Sequence, residues 1–294
     1  MTPEQALQQA LNGLSFGALL FVLAAGLSLI FGMMDVVNLA HGAFYMLGAY
    51  VALSVTRATG SFWLAVVIAP LVLFLLGSIL EPLLLRRLRG RHLDQVLVTV
   101  GISLVVADFI RLREDWGWGA EVRSLAFPPG LDRSIAIAGS DYPLYRLFVI
   151  GFGIALAVAF AVVHRRTRVG ALIRAGVGDA QMLSALGVDT DRLFAITFAV
   201  GAALAGLAGV IAAPVFGLQP GMDVDALIYS LIVVVVGGLG SLAGAVAGSA
   251  VVGPSDTFGK VLVPQFALAL IFAIMALVLL FRPTGLLGRV RIGR

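Results

Sequence analysis

Two polar side chains, Asn38 and His41, stand between two long apolar stretches near the start of the chain. An amide and an imidazole each donate and accept hydrogen bonds, and polar groups inside a hydrophobic segment are costly enough to indicate a function. On one interpretation they contact a polar solute, with Asn38 also capping a helix that starts near Leu39 or Ala40 and His41 bonding across the break. The alternative is that both only satisfy backbone groups freed where the helix breaks.

Glycine and other helix-breaking residues interrupt three of the apolar stretches, at residues 32–42, 212–214 and 237–241. Lipid cannot bond a free N–H or C=O, so irregular backbone persists in a membrane only where it packs against protein or lines a cavity. Broken helices in both halves of a chain are the best sequence indication of a transport path. The residues expected to line this path are Asn38, His41, Gly42, Gly237, Gly238, Gly240 and Ser241.

The composition is that of a membrane protein and not of a soluble domain. Apolar residues make up 60% of the 294 residues, charged residues only 12%, and the mean hydropathy is +1.05. Cysteine is absent and the three histidines are scattered, which argues against disulfides and metal sites. Residues 253–260 fail as a phosphate-binding loop, because the glycine spacing is too long and Val261 replaces the required Ser or Thr. We therefore expect no nucleotide or metal site.

Apolar windows predict an all-α, polytopic bundle of eight or nine transmembrane helices, some of them broken or re-entrant. The windows are residues 10–31, 41–56, 62–81, 94–112, 143–163, 193–216, 226–240, 242–256 and 264–281. Because a span needs about 20 helical residues, 226–240 and 242–256 form either two short spans or one re-entrant hairpin. Small residues repeat every four positions and predict close helix packing. These repeats are Gly13/Gly17, Gly201/Ala205/Gly209 and Gly240/Gly244/Gly248.

All but one of the twenty basic residues are arginine, and they cluster at the ends of the windows. By the positive-inside rule the loops 82–93 and 164–192 and the tail after residue 281 face the cytoplasm. Residues 113–142 then form the periplasmic loop, which carries no basic excess. Its expected interfacial aromatics are Trp116, Trp118 and Tyr142. This distribution indicates contact with a lipid bilayer and excludes a nucleic-acid partner, and residues 1–294 are expected to form a single transmembrane domain.

Acidic residues near the ends of the windows are expected to be solvated or locally paired. Asp108 and Arg111 are spaced for an ion pair on one helix. Glu81 is expected to be solvated beside the basic loop, and Asp223 and Asp225 to lie in a short outer loop.

The cytoplasmic segment 164–192 contains a predicted short helix with one apolar face. Met182 and Leu186 lie four residues apart, Asp179 is placed to cap the start of the helix, and Gly187 to end it. A short amphipathic helix between two spans is suited to a groove on a partner protein. The alternative is a helix on the membrane surface, since arginines precede it.

Several ordered motifs run through the chain. They are VNLAHGAFYMLGAY at residues 37–50, Arg174-Ala175 followed by Asp179, LGVDTDR at 186–192, GGLGS at 237–241 and PTGLLG at 283–288. With these motifs the chain closely resembles, over nearly its full length, the permease subunits of branched-chain amino-acid ABC importers of the LivH-like kind.

The resemblance implies a permease subunit of the bacterial inner membrane, with no cofactor and no catalysis of its own. Its implied partners are a second homologous permease, two cytoplasmic ATPase subunits that bind ATP, and a periplasmic substrate-binding protein. Tyr45 of the first motif joins the path residues. The segment 174–187 would be the coupling helix, with the coupling residues Arg174, Asp179, Met182, Leu186 and Gly187. Gly178 departs from an acidic residue common in the family, which weakens the start of that helix by roughly 1 kcal/mol.

The expected solute is a branched-chain amino acid or a related small polar solute, and relatives that carry urea, short amides or small carboxylates keep those alternatives open. A secondary transporter driven by protons or sodium would need a buried acid–base relay, for which Asp108 is the best sequence candidate but lies near a span end. A passive channel and a sugar permease are the further alternatives.

Overall fold

The computed structural model describes residues 1–137 and 139–288, and within them eleven α-helices and one β-hairpin. The helices are α1 (Pro3–Met34), α2 (His41–Thr59), α3 (Phe62–Leu80), α4 (His92–Leu112), α5 (Leu144–Arg166), α6 (Arg168–Gly178), α7 (Ala180–Ala185), α8 (Thr190–Phe216), α9 (Met222–Gly237), α10 (Leu242–Leu262) and α11 (Ala267–Phe281). Strands β1 (Ser134–Ile137) and β2 (Ser140–Pro143) pair antiparallel. The predicted all-α class is confirmed. The tail arginines Arg289, Arg291 and Arg294 lie outside the described residues.

Six helical segments of the described chain are long and apolar enough to cross a membrane. They are α1, α3 with the turns that extend it to Leu88, α4, α5, α8, and α11 with the turn that precedes it from Pro264. The pair α9 and α10, bent by 113° at a short break, raises this number to seven at most. Eight or nine spans was therefore too many. The surplus comes from α2, α9 and α10, which form where expected but do not individually have the length and hydropathy of a span.

Helix α1 lies at the centre of the bundle, packed on α8, α10, α5 and α9. In its most apolar window 78% of the residues are buried, against 11% for α5 and for α11. Glycine permits this packing: a Cβ on Gly13 would lie 2.6 Å from the Cα of Pro254, and one on Gly26 would lie 2.7 Å from the carbonyl oxygen of Gly201. Close packing through small residues is thus confirmed as contact between helices of this one chain.

The helix starts follow local capping signals. The side chains that accept a hydrogen bond from a first-turn N–H are Thr2, Ser61, Thr167, Asp179, Asp189 and Ser241. In contrast, the break expected at residues 212–214 is absent, because α8 continues through Pro214 to Phe216. Pro214 lacks the N–H that would bond the Val210 carbonyl, yet the helix continues for two more residues. The Tyr145 hydroxyl donates to the nearby Ile211 carbonyl at 2.8 Å.

The three expected interfacial aromatics between α4 and α5 are one exposed and two buried side chains. Trp116 is 51% exposed, whereas Trp118 and Tyr142 are 3% and 2% exposed, so the expectation of three interfacial aromatics was wrong for two of them. Trp118 Nε1 donates a 2.8 Å hydrogen bond to Ser54 Oγ on α2. Burial raises the pKa of the Tyr142 hydroxyl, although Arg146 opposes the shift. The loop therefore packs onto the helix ends.

The acidic residues differ from expectation in two places. Glu81 is fully buried and accepts a 2.6 Å hydrogen bond from Arg89, so it is not solvated. Asp223 and Asp225 lie in the first turn of α9 and not in a loop. The positive end of the helix dipole stabilises a carboxylate at that position. The Asp108–Arg111 ion pair is confirmed at 3.7 Å on the exposed surface of α4.

Candidate translocation path and coupling surface

The first break, between α1 and α2, is a short loop. Two of its backbone N–H groups donate to side chains. Asp35 ends α1 in the left-handed region with φ 56°. Asn38 Oδ1 accepts the N–H of Ala40 at 3.1 Å, and the hydroxyl of Thr99 on α4 accepts the N–H of Leu39 at 3.2 Å. Asn38 thus bonds the loop just before α2 instead of capping a helix that starts at Leu39 or Ala40. Thr99 gave no sequence signal, since it lies 60 residues from its partner.

His41, the first residue of α2, bonds back to the middle of α1. Its Nε2 lies 2.9 Å from the carbonyl oxygen of Leu23. A carbonyl only accepts, so in the neutral ring Nε2 carries the hydrogen and Nδ1 is an acceptor. Neither His41 Nδ1 nor Asn38 Nδ2 has a hydrogen-bond partner among the described residues. The loop therefore holds one unused acceptor and one unused donor, which is unusual for groups removed from water.

The path residues of the first motif are enclosed in this conformation. His41 is fully buried, Asn38 is 1% exposed, Gly42 is buried, and Tyr45 is half-buried. A Cβ on Gly42 would overlap the Asp223 carbonyl at the start of α9, so α2 and α9 meet through this glycine. The lining of a path by these residues stays a prediction.

The second break joins α9 to α10 through glycines with positive φ. Gly238 and Gly240 have φ 115° and 72°, values that favour glycine. Ser241 caps α10 by accepting the Gly244 N–H at 2.9 Å. Gly237 and Gly238 are buried, whereas Gly240 and Ser241 are half-buried. The structure brings the two breaks together, since a Cβ on Gly32 near the end of α1 would lie 3.0 Å from the Gly240 carbonyl oxygen.

The PTGLLG motif after α11 covers the second break. The N–H groups of Leu286 and Leu287 donate to the carbonyls of Val236 and Gly237 at 2.8 and 2.9 Å. These carbonyls end α9 and would otherwise lack partners. A Cβ on Gly285 would lie 2.6 Å from the Cα of Gly238. The small residues of this motif therefore allow its backbone to pack closely against the break.

An ion pair on α10 between the buried Asp256 and the exposed Lys260 is the main polar site that the sequence reasoning missed. Asp256 is 2% exposed and accepts from the Tyr229 hydroxyl of α9 at 2.8 Å and from Lys260 Nζ at 2.7 Å. The ammonium also lies 5.5 Å from the ring centroid of Phe16 on α1. The i, i+4 spacing of Asp256 and the single lysine was the available signal. Three helices therefore meet at one charge pair.

Between α5 and α8 the chain forms two helices, α6 and α7, so 174–187 is not one continuous coupling helix. Helix α6 ends at Gly178, as the weak helix propensity of glycine favours. Asp179 caps α7 by accepting two first-turn N–H groups at 2.9 Å, as predicted. Gly187 has φ 84° and donates to the Ser184 carbonyl at 2.9 Å, which confirms the predicted helix end.

Helix α7 and the residue after it present an exposed apolar surface, and a buried leucine of α7 packs against α1 and α8. Met182 and Leu186 are 61% and 75% exposed, while Leu183 is 6% exposed and clusters with Met33 of α1 and Leu193 of α8. Contact with Met33 links the surface to the end of α1, directly before the first break. Arg174 on α6 is also exposed. Coupling to an ATPase stays a prediction for these residues.

An ionic cluster ties the turn after α3 to the start of α8. Asp191 pairs with both Arg86 and Arg89, and Arg89 also pairs with the buried Glu81. The Arg89 guanidinium lies 4.4 Å from the ring centroid of Phe194. Because α7 leads directly into α8, this cluster connects the basic loop 164–192 with the basic loop 82–93.

Comparison with known proteins gives one consistent result. Residues 9–279 match the family described as branched-chain amino acid transport system, permease component. The high-affinity branched-chain amino acid transport system permease proteins BraD of Pseudomonas aeruginosa and LivH of Escherichia coli are each 30% identical over 96% of both chains. The corresponding LivM of Escherichia coli is 26% identical over 92% of this chain and 68% of its own. No solved structure matches. The chain belongs to the family of branched-chain amino acid transport permeases.

Proposed function

We propose that this chain is the permease subunit of an ATP-driven importer of the bacterial inner membrane, with branched-chain amino acids as its solutes. The observation that carries the proposal is the full-length similarity to BraD and LivH, together with an exposed apolar surface on α7 anchored next to the first break. The chain would form part of the path and catalyse no reaction itself, and ATP would be bound by separate subunits.

The expected partners follow from the same similarities. LivH and LivM of Escherichia coli are both similar to this chain, which supports a core of two homologous permeases. Two cytoplasmic ATPase subunits would contact Met182 and Leu186, and a periplasmic binding protein would deliver the solute. When ATP binds, movement of α7 would be passed through Leu183 to Met33 and the end of α1. Such a ligand shifts the conformations only by its differential affinity for them.

The unused polar atoms of the first break support a path at that position. Asn38 Nδ2 and His41 Nδ1 offer a donor and an acceptor within an apolar bundle, and polar groups at that depth are retained chiefly for function. If the solute is zwitterionic, these two atoms match its carboxylate and ammonium in hydrogen-bonding sense.

The test is reconstitution of the complete complex in proteoliposomes with its binding protein. ATP-dependent uptake of leucine is expected, together with ATPase activity stimulated by the loaded binding protein. Met182→Asp and Leu186→Asp should abolish that stimulation, because a charge would be buried in the contact. Ser184→Asp on the opposite side of α7 is the matched control and should retain it.

Two outcomes would overturn the proposal. Uptake that persists without ATP and collapses with the proton or sodium gradient would favour a secondary transporter. Stimulated ATPase activity left unchanged by both substitutions would remove the coupling role of α7. A thermal-shift screen of the binding protein against branched-chain amino acids, urea, short amides and carboxylates separates the remaining solute classes.

A further inference from the structure

A lateral groove lies near the outer ends of α2 and α3, under the start of the outer loop. Helix α3 packs along α2, and an open cavity of about 600 Å³ lies beside this contact, under Trp116 and Trp118. The lining residues that matter here are Val51, Val55, Arg57, Ala58, Val72 and Trp116. Helix α3 rises about 15 Å between Phe62 and Val72, so the groove extends well into the apolar part of the bundle.

The groove opens on an apolar surface. Val72 is 39% exposed, and its neighbour Leu71 on α3 is 54% exposed. Helix α3 has the length and hydropathy of a membrane span. An apolar groove left empty beside hydrocarbon would lose its dispersion contacts, so an apolar chain is expected to fill it.

A cation without a carboxylate partner stands at the mouth of the groove. Arg57 Nη1 donates to the Gly117 carbonyl at 3.0 Å, and a Cβ on Gly117, at φ 71°, would overlap the guanidinium. Of the other arginines near this side of the bundle, Arg111, Arg113 and Arg123 each pair with an acid, and Arg146 bonds the amide oxygen of Asn12. Among the described residues no such acid pairs with Arg57. Its remaining N–H donors are held in place and suit a phosphate.

We propose that this groove binds one anionic phospholipid from the outer leaflet. The phosphate contacts Arg57, an acyl chain lies along Val51, Val55 and Val72, and Trp116 lies at the level of the lipid carbonyls, where tryptophan is enriched. Charge complementarity selects an anionic headgroup, and the apolar walls select a lipid over a soluble anion.

The test measures lipids retained by the purified complex. The complex is exchanged into nanodiscs of phosphatidylglycerol mixed with phosphatidylcholine, and native mass spectrometry counts the lipids that survive detergent release. The wild-type chain is expected to retain one phosphatidylglycerol in preference to phosphatidylcholine. Arg57→Gln should reduce that retention by on the order of tenfold, the effect of one charge-assisted contact, while Arg57→Lys should keep part of it.

Two variants separate the groove from general surface charge and from misfolding. Arg111→Gln removes an outer arginine that already has an acid partner, so it should retain lipid like the wild type. Ala58→Trp fills the mouth of the groove from an exposed position and should lower retention of both lipids. Equal retention by Arg57→Gln and the wild type would overturn the proposal. The proposal would also fail if the cysteine of Ala58→Cys formed a disulfide with a cysteine introduced into the second permease. The groove would then be a protein interface.

Discussion

The hydroxyl of Tyr229 donates a 2.8 Å hydrogen bond to Asp256, whose second carboxylate oxygen accepts from Lys260 at 2.7 Å. Asp256 is 2% exposed, and a carboxylate so removed from water persists in its charged form only with such partners. The hydrogen bond between Tyr229 and Asp256 joins α9 to α10 at a point away from their glycine break. The two arms of the bent pair therefore have a polar contact that opposes their separation.

Removal of one partner should destabilise the bundle more than removal of both. Lys260→Met leaves the carboxylate with one hydrogen bond, and we expect a loss of about 2 kcal/mol of unfolding free energy, because a buried charged acceptor is left unsatisfied. The double variant Asp256→Leu/Lys260→Met should recover part of this loss, because it removes both charges but leaves the Tyr229 hydroxyl without its acceptor. Thermal melts of the purified complex measure both. Equal destabilisation by the single and double variants would show that the charge pair is not the cause.

The Thr99 hydroxyl should be necessary for the loop between α1 and α2. Thr99→Val preserves the shape of the side chain but removes the acceptor of the Leu39 N–H, and we expect a loss of about 1–3 kcal/mol. Thr99→Ser retains the hydroxyl and is the matched control, expected to lose well under half as much. The measurement is again the melting temperature of the complex. If valine and serine behave alike, the hydrogen bond contributes nothing.

How much was predictable depends on the distance along the chain between the interacting groups. The cap by Asp179, the helix end at Gly187 and the breaks near Asn38 and Gly238 depend on neighbouring residues, and the sequence predicted them. The bonds of Leu39 to Thr99 and of Tyr229 to Asp256 join residues 60 and 27 positions apart. They depend on how far each helix is shifted along its neighbour, which hydrophobic windows do not encode. Pro214 was misread because a proline removes only one helical hydrogen bond, and α3, α8 and α10 each continue past an internal proline.

Gly26 should tolerate no side chain, although it lies within a helix. A Cβ there would lie 2.7 Å from the Gly201 carbonyl oxygen and 3.0 Å from the ring of His41. Gly26→Ala should therefore cost about 1–3 kcal/mol through overpacking of α1 against α8. Gly151→Ala on α5 meets nothing within 4 Å and should be neutral or slightly stabilising, since alanine favours a helix over glycine. Comparable melting temperatures for the two variants would argue against the close α1–α8 contact.

Substitutions of Asn38 should distinguish an effect on folding from an effect on transport. Its Oδ1 bonds the loop, whereas its Nδ2 has no partner among the described residues. Asn38→Ser keeps an oxygen that accepts the Ala40 N–H but removes the unpartnered Nδ2 donor. If the donor contacts the solute, leucine uptake should fall about tenfold, the effect of one lost hydrogen bond to a charged group, with little change in melting temperature. Asn38→Leu removes both atoms and should lose stability as well. Wild-type uptake by Asn38→Ser would show that Asn38 only satisfies backbone groups freed at the break and does not contact the solute.

The cluster at Asp191 should hold the two basic loops together. Asp191→Asn removes the negative charge that pairs with Arg86 and Arg89, while the amide keeps the size of the side chain. Arg86 and Arg89 should then become more accessible, and trypsin should cut the turn after α3 faster in vesicles that expose the cytoplasmic face. Asp108→Asn also breaks an arginine pair, but on exposed α4, and should leave the cleavage rate unchanged. Because Glu81 still pairs with Arg89, we expect faster cleavage after Arg86 than after Arg89, and cleavage at the wild-type rate at both would contradict the link.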